Sequence, residues 1–276
     1  MGLLYYLLVL LVLTSLRQMA KKNTLVVVAA HADDAELNAG GTMSKWAADG
    51  EVVIVLCTNN CSGEVLSADG STRRLPAAET SALRDGEQDA AAALIGARVV
   101  RLNYAQRHYF DGAGVVRMGY GARPPAGVPP EAYLQPLLTA YQLPEHVARM
   151  AETLAGLSPS LILCQPPSDL DPEHHATAAL VWAAWAGAAP LASVPLRFYT
   201  PGSSCPGGLF RIHYDVLEDI SEYFEKKLEL CGAHASQMTA PRWKMVRERA
   251  AAFGKAAGVA FAEPFVSALR RGEHNC

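Results

Sequence analysis

The sequence lacks a basic stripe, a dense cysteine framework, an unbroken apolar run of membrane-spanning length and a glycine-rich dinucleotide fingerprint. Each absence removes a class of function. Lys and Arg number 24 against 27 Asp and Glu, for a net charge of −3, and the basic pairs Lys21–Lys22, Arg73–Arg74, Lys226–Lys227 and Arg270–Arg271 are scattered. No basic stretch is interleaved with aromatics, so no nucleic-acid partner is expected. The cysteines Cys57, Cys61, Cys164, Cys205, Cys231 and Cys276 are spread over 276 residues, which is no disulfide scaffold and permits a reduced compartment. Cys57 and Cys61 have no second pair beside them, so no structural zinc site is read there. Gly-x-Gly-x-x-Gly is missing from the first strand-to-helix junction, where only Gly40-Gly41 occurs, and a nicotinamide enzyme is not expected.

Residues 3–13 contain only Leu, Val and Tyr. That run is shorter than the roughly 20 residues a straight helix needs to cross a bilayer. It has the length of a signal h-region but neither a basic start nor a persuasive cleavage site. Arg17, Lys21 and Lys22 follow it, and the positive-inside bias then keeps the rest of the chain on the cytoplasmic side. Residues 1–20 are therefore a candidate membrane anchor, and the expected localisation is membrane-associated with a domain at 21–276 facing the cytoplasm. The alternative is a soluble cytoplasmic protein whose apolar segment packs on the domain or on another subunit.

What is present is a large apolar share, 50% of the residues, enough for a substantial core. Residues 24–30 and 52–57 read as strands buried on both faces, with helical spacing over 40–49 between them. Strand, helix, strand implies a right-handed crossover and a parallel pair. A helix over 77–95, a strand over 98–102, a helix over 144–157 and a strand over 160–164 continue the alternation. The fold class expected is α/β: an open, largely parallel, Rossmann-like sheet with helices on both faces and ligands beyond the carboxyl ends of the strands. Residues 103–143, rich in Gly, Pro and Tyr, read as a substrate loop or lid. Later come extended pieces at 194–199 and 209–212 and helices near 219–231 and 241–256.

Chemistry concentrates at Ala30-His31-Ala32-Asp33-Asp34-Ala35-Glu36, where the first strand ends. A histidine and a carboxylate three residues later can converge on one ion if the chain turns there into a helix. Zinc accepts imidazole nitrogen and carboxylate oxygen, and a catalytic zinc keeps a place for water. Asp33 is then free to accept that water's proton. Asp171-Pro172-Glu173-His174-His175 follows the strand at 160–164, precedes a helix expected over 176–188 and lies on the same rim. The bland alternative is that Asp33, Asp34 and Glu173 serve as acids around helix N-termini and His175 as a surface residue.

Residues 30–42 resemble the signature of the PIG-L or LmbE family, zinc-dependent de-N-acetylases of GlcNAc-containing glycolipids, thiol glycosides and some glycopeptide antibiotics. The family opening Ala-His-Pro-Asp-Asp corresponds to Ala30-His31-Ala32-Asp33-Asp34, and Gly40-Gly41-Thr42 follows. The resemblance implies Zn2+ as cofactor, His31 and Asp34 as ligands and Asp33 as general base. The family's His-Pro-Asp-His falls on Asp171-Pro172-Glu173-His174, which makes His174 the third ligand and leaves His175 outside. Arg84 and Glu87 match an Arg-x-x-Glu helix on the substrate side. Lys227 and His234-Ala235-Ser236-Gln237 are similar to a late His-x-Ser-Gln signature.

The activity implied is hydrolysis of the N-acyl amide of a GlcNAc-containing small molecule or glycolipid, releasing acetate and a free amino sugar. A lipid-bearing glycopeptide antibiotic is the alternative to a glycosylphosphatidylinositol precursor. Two departures stand out. Ala32 replaces a proline, which should loosen the local backbone. Asp171 replaces a histidine that polarises the carbonyl or protonates the leaving amine, and an ionised carboxylate donates no hydrogen bond. Either Asp171 holds a proton, or His234 contributes, or the chain is a catalytically weak carbohydrate-binding protein on the same fold.

Overall fold

The structure, a computed structural model, describes residues 23–67, 69–117, 135–201 and 212–269. Its first strand, β1 (Thr24–Ala29), is buried at every position. Val26 and Val28 pack on one face with Met150, Leu154 and Leu180, while Leu25, Val27 and Ala29 pack on the other with Ala39, Met43 and Leu230. An uninterrupted apolar strand follows from having a helical layer on each side.

Helix α1 (Asp34–Ala47) crosses to β2 (Glu51–Thr58), which pairs in parallel with β1. Two short strands, β3 (Val65–Leu66) and β4 (Thr72–Arg73), form a hairpin before α2 (Ala77–Ala93) and β5 (Arg98–Tyr104). A second hairpin, β6 (His108–Phe110) with β7 (Val115–Arg117), occupies part of the stretch expected as a loop. After it come α3 (Leu137–Ala140), α4 (Pro144–Gly156), β8 (Leu161–Cys164) and α5 (Pro172–Gly187). The chain continues through β9 (Leu196–Phe198), β10 (Val216–Asp219), α6 (Phe224–Ala233), α7 (Ala240–Ala257) and β11 (Ala262–Ser267). The main sheet has the order β10-β11-β9-β8-β1-β2-β5. Strands β5, β2, β1, β8 and β9 are mutually parallel, and β11 runs antiparallel between β9 and β10.

This is the α/β architecture expected, with two corrections in detail. Helices α1 and α5 begin at Asp34 and Pro172 rather than near residues 40 and 176, which brings the polar motifs into first helical turns. The antiparallel edge made by β10 and β11 was not foreseen. The extended piece expected at 209–212 and the middle of the 103–143 stretch, residues 118–134, fall largely or wholly outside the described residues. The membrane-associated localisation is also corrected: among the described residues no helix is long and apolar enough to cross a membrane. Residues 1–20, on which that expectation rested, lie outside the described residues.

Candidate metal centre

Strand β1 ends at Ala29, and the next residues turn the chain into α1 at the carboxyl edge of the sheet. Asp33 turns it with a φ of +95°, a left-handed conformation that aspartate tolerates better than most side chains. Three contacts hold the bend. Thr58 Oγ1 donates to the Ala30 carbonyl at 2.7 Å, the Ala32 N–H donates to Asn60 Oδ1 at 2.9 Å, and Arg84 Nη2 donates to the Ala32 carbonyl at 2.6 Å. A proline at position 32 has no N–H to offer Asn60. The loosening expected from Ala32 is therefore countered by a hydrogen bond that only a non-proline residue can make.

The two histidines are each backed by a carboxylate. His31 Nε2 lies 2.9 Å from Glu173 Oε2, and His174 Nδ1 lies 2.9 Å from Asp169 Oδ2. Their other nitrogens, His31 Nδ1 and His174 Nε2, come within 3.1 Å of each other. Asp34 closes the same point, with Oδ1 at 3.3 Å from His174 Nε2 and Oδ2 at 3.5 Å from His31 Nδ1. The His31 N–H and Gln165 Nε2 hold Asp34 Oδ2 at 2.8 and 2.9 Å. A carboxylate on the far ring nitrogen fixes the tautomer and orientation of a metal-ligating histidine.

Electrostatics agree with that reading. Burial alone would lower His31, but hydrogen bonds and charge from Asp34 and Glu173 push it up to about 9. Burial likewise opposes protonation of His174, and Asp34 and Asp169 override it, pushing the imidazole up to about 11. Burial would raise Asp34, yet His174 and His31 hold it well below the usual carboxylate range. The centre thus favours positive charge, and its convergent imidazole nitrogens and carboxylate oxygen suit a zinc ion.

Asp171 stands beside this point as a second carboxylate. His31, Asp171 and His174 each offer a ligand atom within 4.8 Å of the others, forming a metal-capable cluster consistent with zinc. Asp171 has other engagements. Its oxygens accept from Arg107 Nη1 and Nη2 at 2.9 and 3.0 Å, and its side chain caps α5 by accepting from the backbone N–H groups of Glu173 and His174. Burial would raise the Asp171 carboxyl, but Arg107 and the nearby histidines hold it below its ordinary value. Nothing in these contacts favours a proton retained on Asp171.

Of the remaining sequence-derived candidates, Asp33 and Arg84 share the cavity with the centre, while Glu87 and His234 are not among its lining residues. Asp33 is buried in the cavity wall, with Oδ2 2.5 Å from Arg242 Nη1 and Oδ1 3.5 Å from Arg84 Nη2. Arg84 is buried too, and it pairs with Asp33 and with the carbonyls of Ala32 and Ser62. It does not pair with Glu87, which accepts from the Ser236 N–H and Oγ at 2.7 and 2.6 Å. His234 is completely buried, 3.2 Å from Glu36 Oε2, and is not part of the cavity lining. The expected proton-donor role of His234 thus has no direct contact with the cavity behind it.

The centre opens into a cavity of about 560 Å³ whose wall includes Arg84, Arg107, Arg242 and Arg249. Sequence reasoning passed over Asp169, Gln165, Asn60 and these last three arginines. The only available signal was for Arg242 and Arg249, whose spacing places both on one face of a helix expected over 241–256.

Comparison with known proteins bears on the same residues. The family model described as PIG-L: GlcNAc-PI de-N-acetylase matches residues 26–185, more than half of the chain. A curated relative, the 1D-myo-inositol 2-acetamido-2-deoxy-alpha-D-glucopyranoside deacetylase of Rhodococcus erythropolis, is 28% identical over 186 residues, 64% of this chain. The matched stretch spans 58% of that relative's length. Among solved structures, the 4-carboxy-2-hydroxymuconate hydratase GalB from Pseudomonas putida KT2440 is similar at a TM-score of 0.63 and 20% identity, covering 92% of this chain and 99% of that one. A deacetylase of the teicoplanin biosynthesis pathway is similar at 0.61 and 16% identity, covering 91% and 100%. At such identities the likeness concerns the fold.

Proposed function

This chain belongs to the PIG-L family, and on that premise we propose that it hydrolyses the N-acyl amide of a GlcNAc-containing conjugate with zinc held by His31, Asp34 and His174. The products are a carboxylic acid, acetate for the N-acetyl substrate, and a free amino sugar. One observation carries the reading: two imidazoles, each backed by a carboxylate, turn their other nitrogens to one point beside Asp34. Asp34 is preferred to Asp171 as the oxygen ligand because Arg107 and the first turn of α5 already engage Asp171. The family match and the name of the Rhodococcus relative support the amino-sugar amide.

When bound, zinc supplies a Lewis acid that acidifies water and polarises the amide carbonyl. Asp33 takes the proton of the attacking water and passes it to the amine nitrogen as the amide bond breaks. Arg242 and Arg84 hold the Asp33 carboxylate in the cavity wall. The Arg107 guanidinium, fixed by Asp171, supplies positive charge in the wall where the usual histidine is missing.

The test pairs metal content with acetate release from a panel of N-acetylglucosaminides. Asp33→Asn is expected to retain zinc and to lose turnover by about 10²- to 10⁴-fold. Unchanged turnover in that variant overturns the role given to Asp33. A second reading, a weakly catalytic carbohydrate binder, is favoured by the ionised Asp171. It predicts saturable binding of the same sugars without acetate release from any of them. The teicoplanin-pathway neighbour makes a glycopeptide conjugate a necessary member of the panel.

A further inference from the structure

Three of the four arginines that line the cavity are paired with carboxylates: Arg84 and Arg242 with Asp33, and Arg107 with Asp171. Arg249 differs. It donates through Nη1 to Asn38 Oδ1 at 2.8 Å and to Thr200 Oγ1, and through Nη2 to the Met245 sulfur. These partners are neutral, and among the described residues no carboxylate stands within ion-pair distance of Arg249. Arg249 is half-buried, and a guanidinium partly withdrawn from water loses hydration that neutral acceptors replace only in part. Burial accordingly lowers the Arg249 pKa, with distant charges opposing the shift.

The position of Arg249 gives that cation a use. Arg242, Met245 and Arg249 lie three and four residues apart on α7 and all face the cavity that contains His31, Asp33 and His174. Asn38, which accepts from Arg249, lies one turn beyond Asp34 on α1 and donates through Nδ2 to the Asp34 carbonyl at 2.8 Å. The arginine is thereby tied to the helix that carries a proposed zinc ligand. Helix α7 lies beyond the residues 26–185 matched by the family model.

We propose that Arg249 is an anion-binding residue of the substrate cavity, and that the conjugate bound there carries an oxyanion, phosphate or carboxylate, on the part remote from the amide. Planar guanidinium donors match the paired oxygens of either group. The exposed part of Arg242, two turns before Arg249, adds positive charge to the same wall. The proposal rests on the amino-sugar reading for the identity of the substrate, but the anion requirement can be measured without turnover.

The experiment is equilibrium titration of the zinc-loaded full-length protein with N-acetylglucosamine, its 1-phosphate, its 6-phosphate and N-acetylmuramic acid, whose lactyl group supplies a carboxylate. At least one anionic sugar is expected to bind tenfold or more tighter than the neutral one, with the advantage shrinking as salt is raised. Which of them gains identifies the anion and its place. Arg249→Gln is expected to abolish the advantage, and Arg249→Lys to keep part of it. Inorganic phosphate, titrated alone into native and Arg249→Gln proteins, separates the two hypotheses. Arg249-dependent phosphate binding with no sugar binding sustains the anion site and rejects the amino-sugar reading. Equal affinity of the native protein for neutral and anionic sugars, or an advantage that survives in Arg249→Gln, overturns the proposal, and the native comparison decides even if the variant does not fold.

Discussion

At the residue scale, the centre depends on groups that touch no metal. Glu173 fixes His31 through Nε2 and Asp169 fixes His174 through Nδ1, leaving the opposite nitrogens to converge. Loss of such a supporting carboxylate weakens metal affinity by about 10- to 100-fold. Asp169→Asn and Glu173→Gln are each expected to weaken zinc binding on that scale in competition with a chromophoric chelator. Native affinity in both variants overturns their orienting role. His31, Asp34 and His174 were legible because they sit in compact motifs next to strand ends. Asp169 was not, since a single aspartate in a loop has no spacing that ties it to an imidazole five residues on. Arg107 was hidden for a different reason: it lies at the start of a Gly- and Pro-rich stretch, and its bidentate contact with Asp171 joins residues 64 apart.

At the element scale, α1 is held to the rest of the molecule by a buried ion pair on its backbone. Lys227 Nζ, on α6, donates to Glu263 Oε1 on β11 at 2.5 Å and to the carbonyl of Leu37 at 2.9 Å. Glu263 also accepts from the N–H groups of Gly41 and Thr42 at 3.0 and 2.8 Å, and from Thr42 Oγ1 at 2.6 Å. Gly40-Gly41 has a packing reason here: a Cβ on Gly41 would stand 2.7 Å from Ile220 side-chain carbons, and one on Gly40 3.1 Å from Lys227 Cγ. Removing one member of a buried pair strands the other charge and costs about 3–5 kcal/mol. Lys227→Met is expected to lose about that much stability in urea, and the double variant with Glu263→Gln to recover part of it. A single-variant loss below about 1 kcal/mol, the scale of an exposed pair, sinks this account. The strand carrying Glu263 escaped sequence reading because Pro264 argues against a strand interior. It is tolerated because β9 engages only Val266 and Ser267 of β11, leaving Pro264 paired on the β10 side alone. The starts of α1 and α5 were missed because first-turn residues chosen for the centre carry no amphipathic signal, so the apolar period emerges only a turn later.

At the scale of the whole molecule, the sheet was legible wherever helices cover both faces, because full burial leaves a continuous Val, Ile and Leu run in β1, β2 and β8. The centre joins the exits of β1 and β8, neighbouring parallel strands in that sheet, so its charge state is coupled to the stability of the entire fold. In the metal-free protein His31 is raised from 6.5 to about 9, so the stability it contributes is complete below pH 6.5 and is lost as pH rises toward 9. Asp34 is lowered, so its contribution is present above its ordinary value of 3.8 and is lost only as pH falls through the lower folded value. Between those limits, the metal-free fold is supported by imidazolium and carboxylate together. Zinc requires unprotonated ring nitrogens, so its apparent affinity increases over the same interval in which the imidazolium contribution disappears. Stabilisation by a ligand grows with the ratio of its concentration to its dissociation constant. The melting temperature of chelated protein is therefore expected to fall from pH 6.5 to 9, while the gap between zinc-loaded and chelated protein widens. Thermal denaturation at fixed free zinc across that range measures both trends, and a gap that stays constant or narrows shows that Asp34 and Glu173 do not hold His31 in its protonated form.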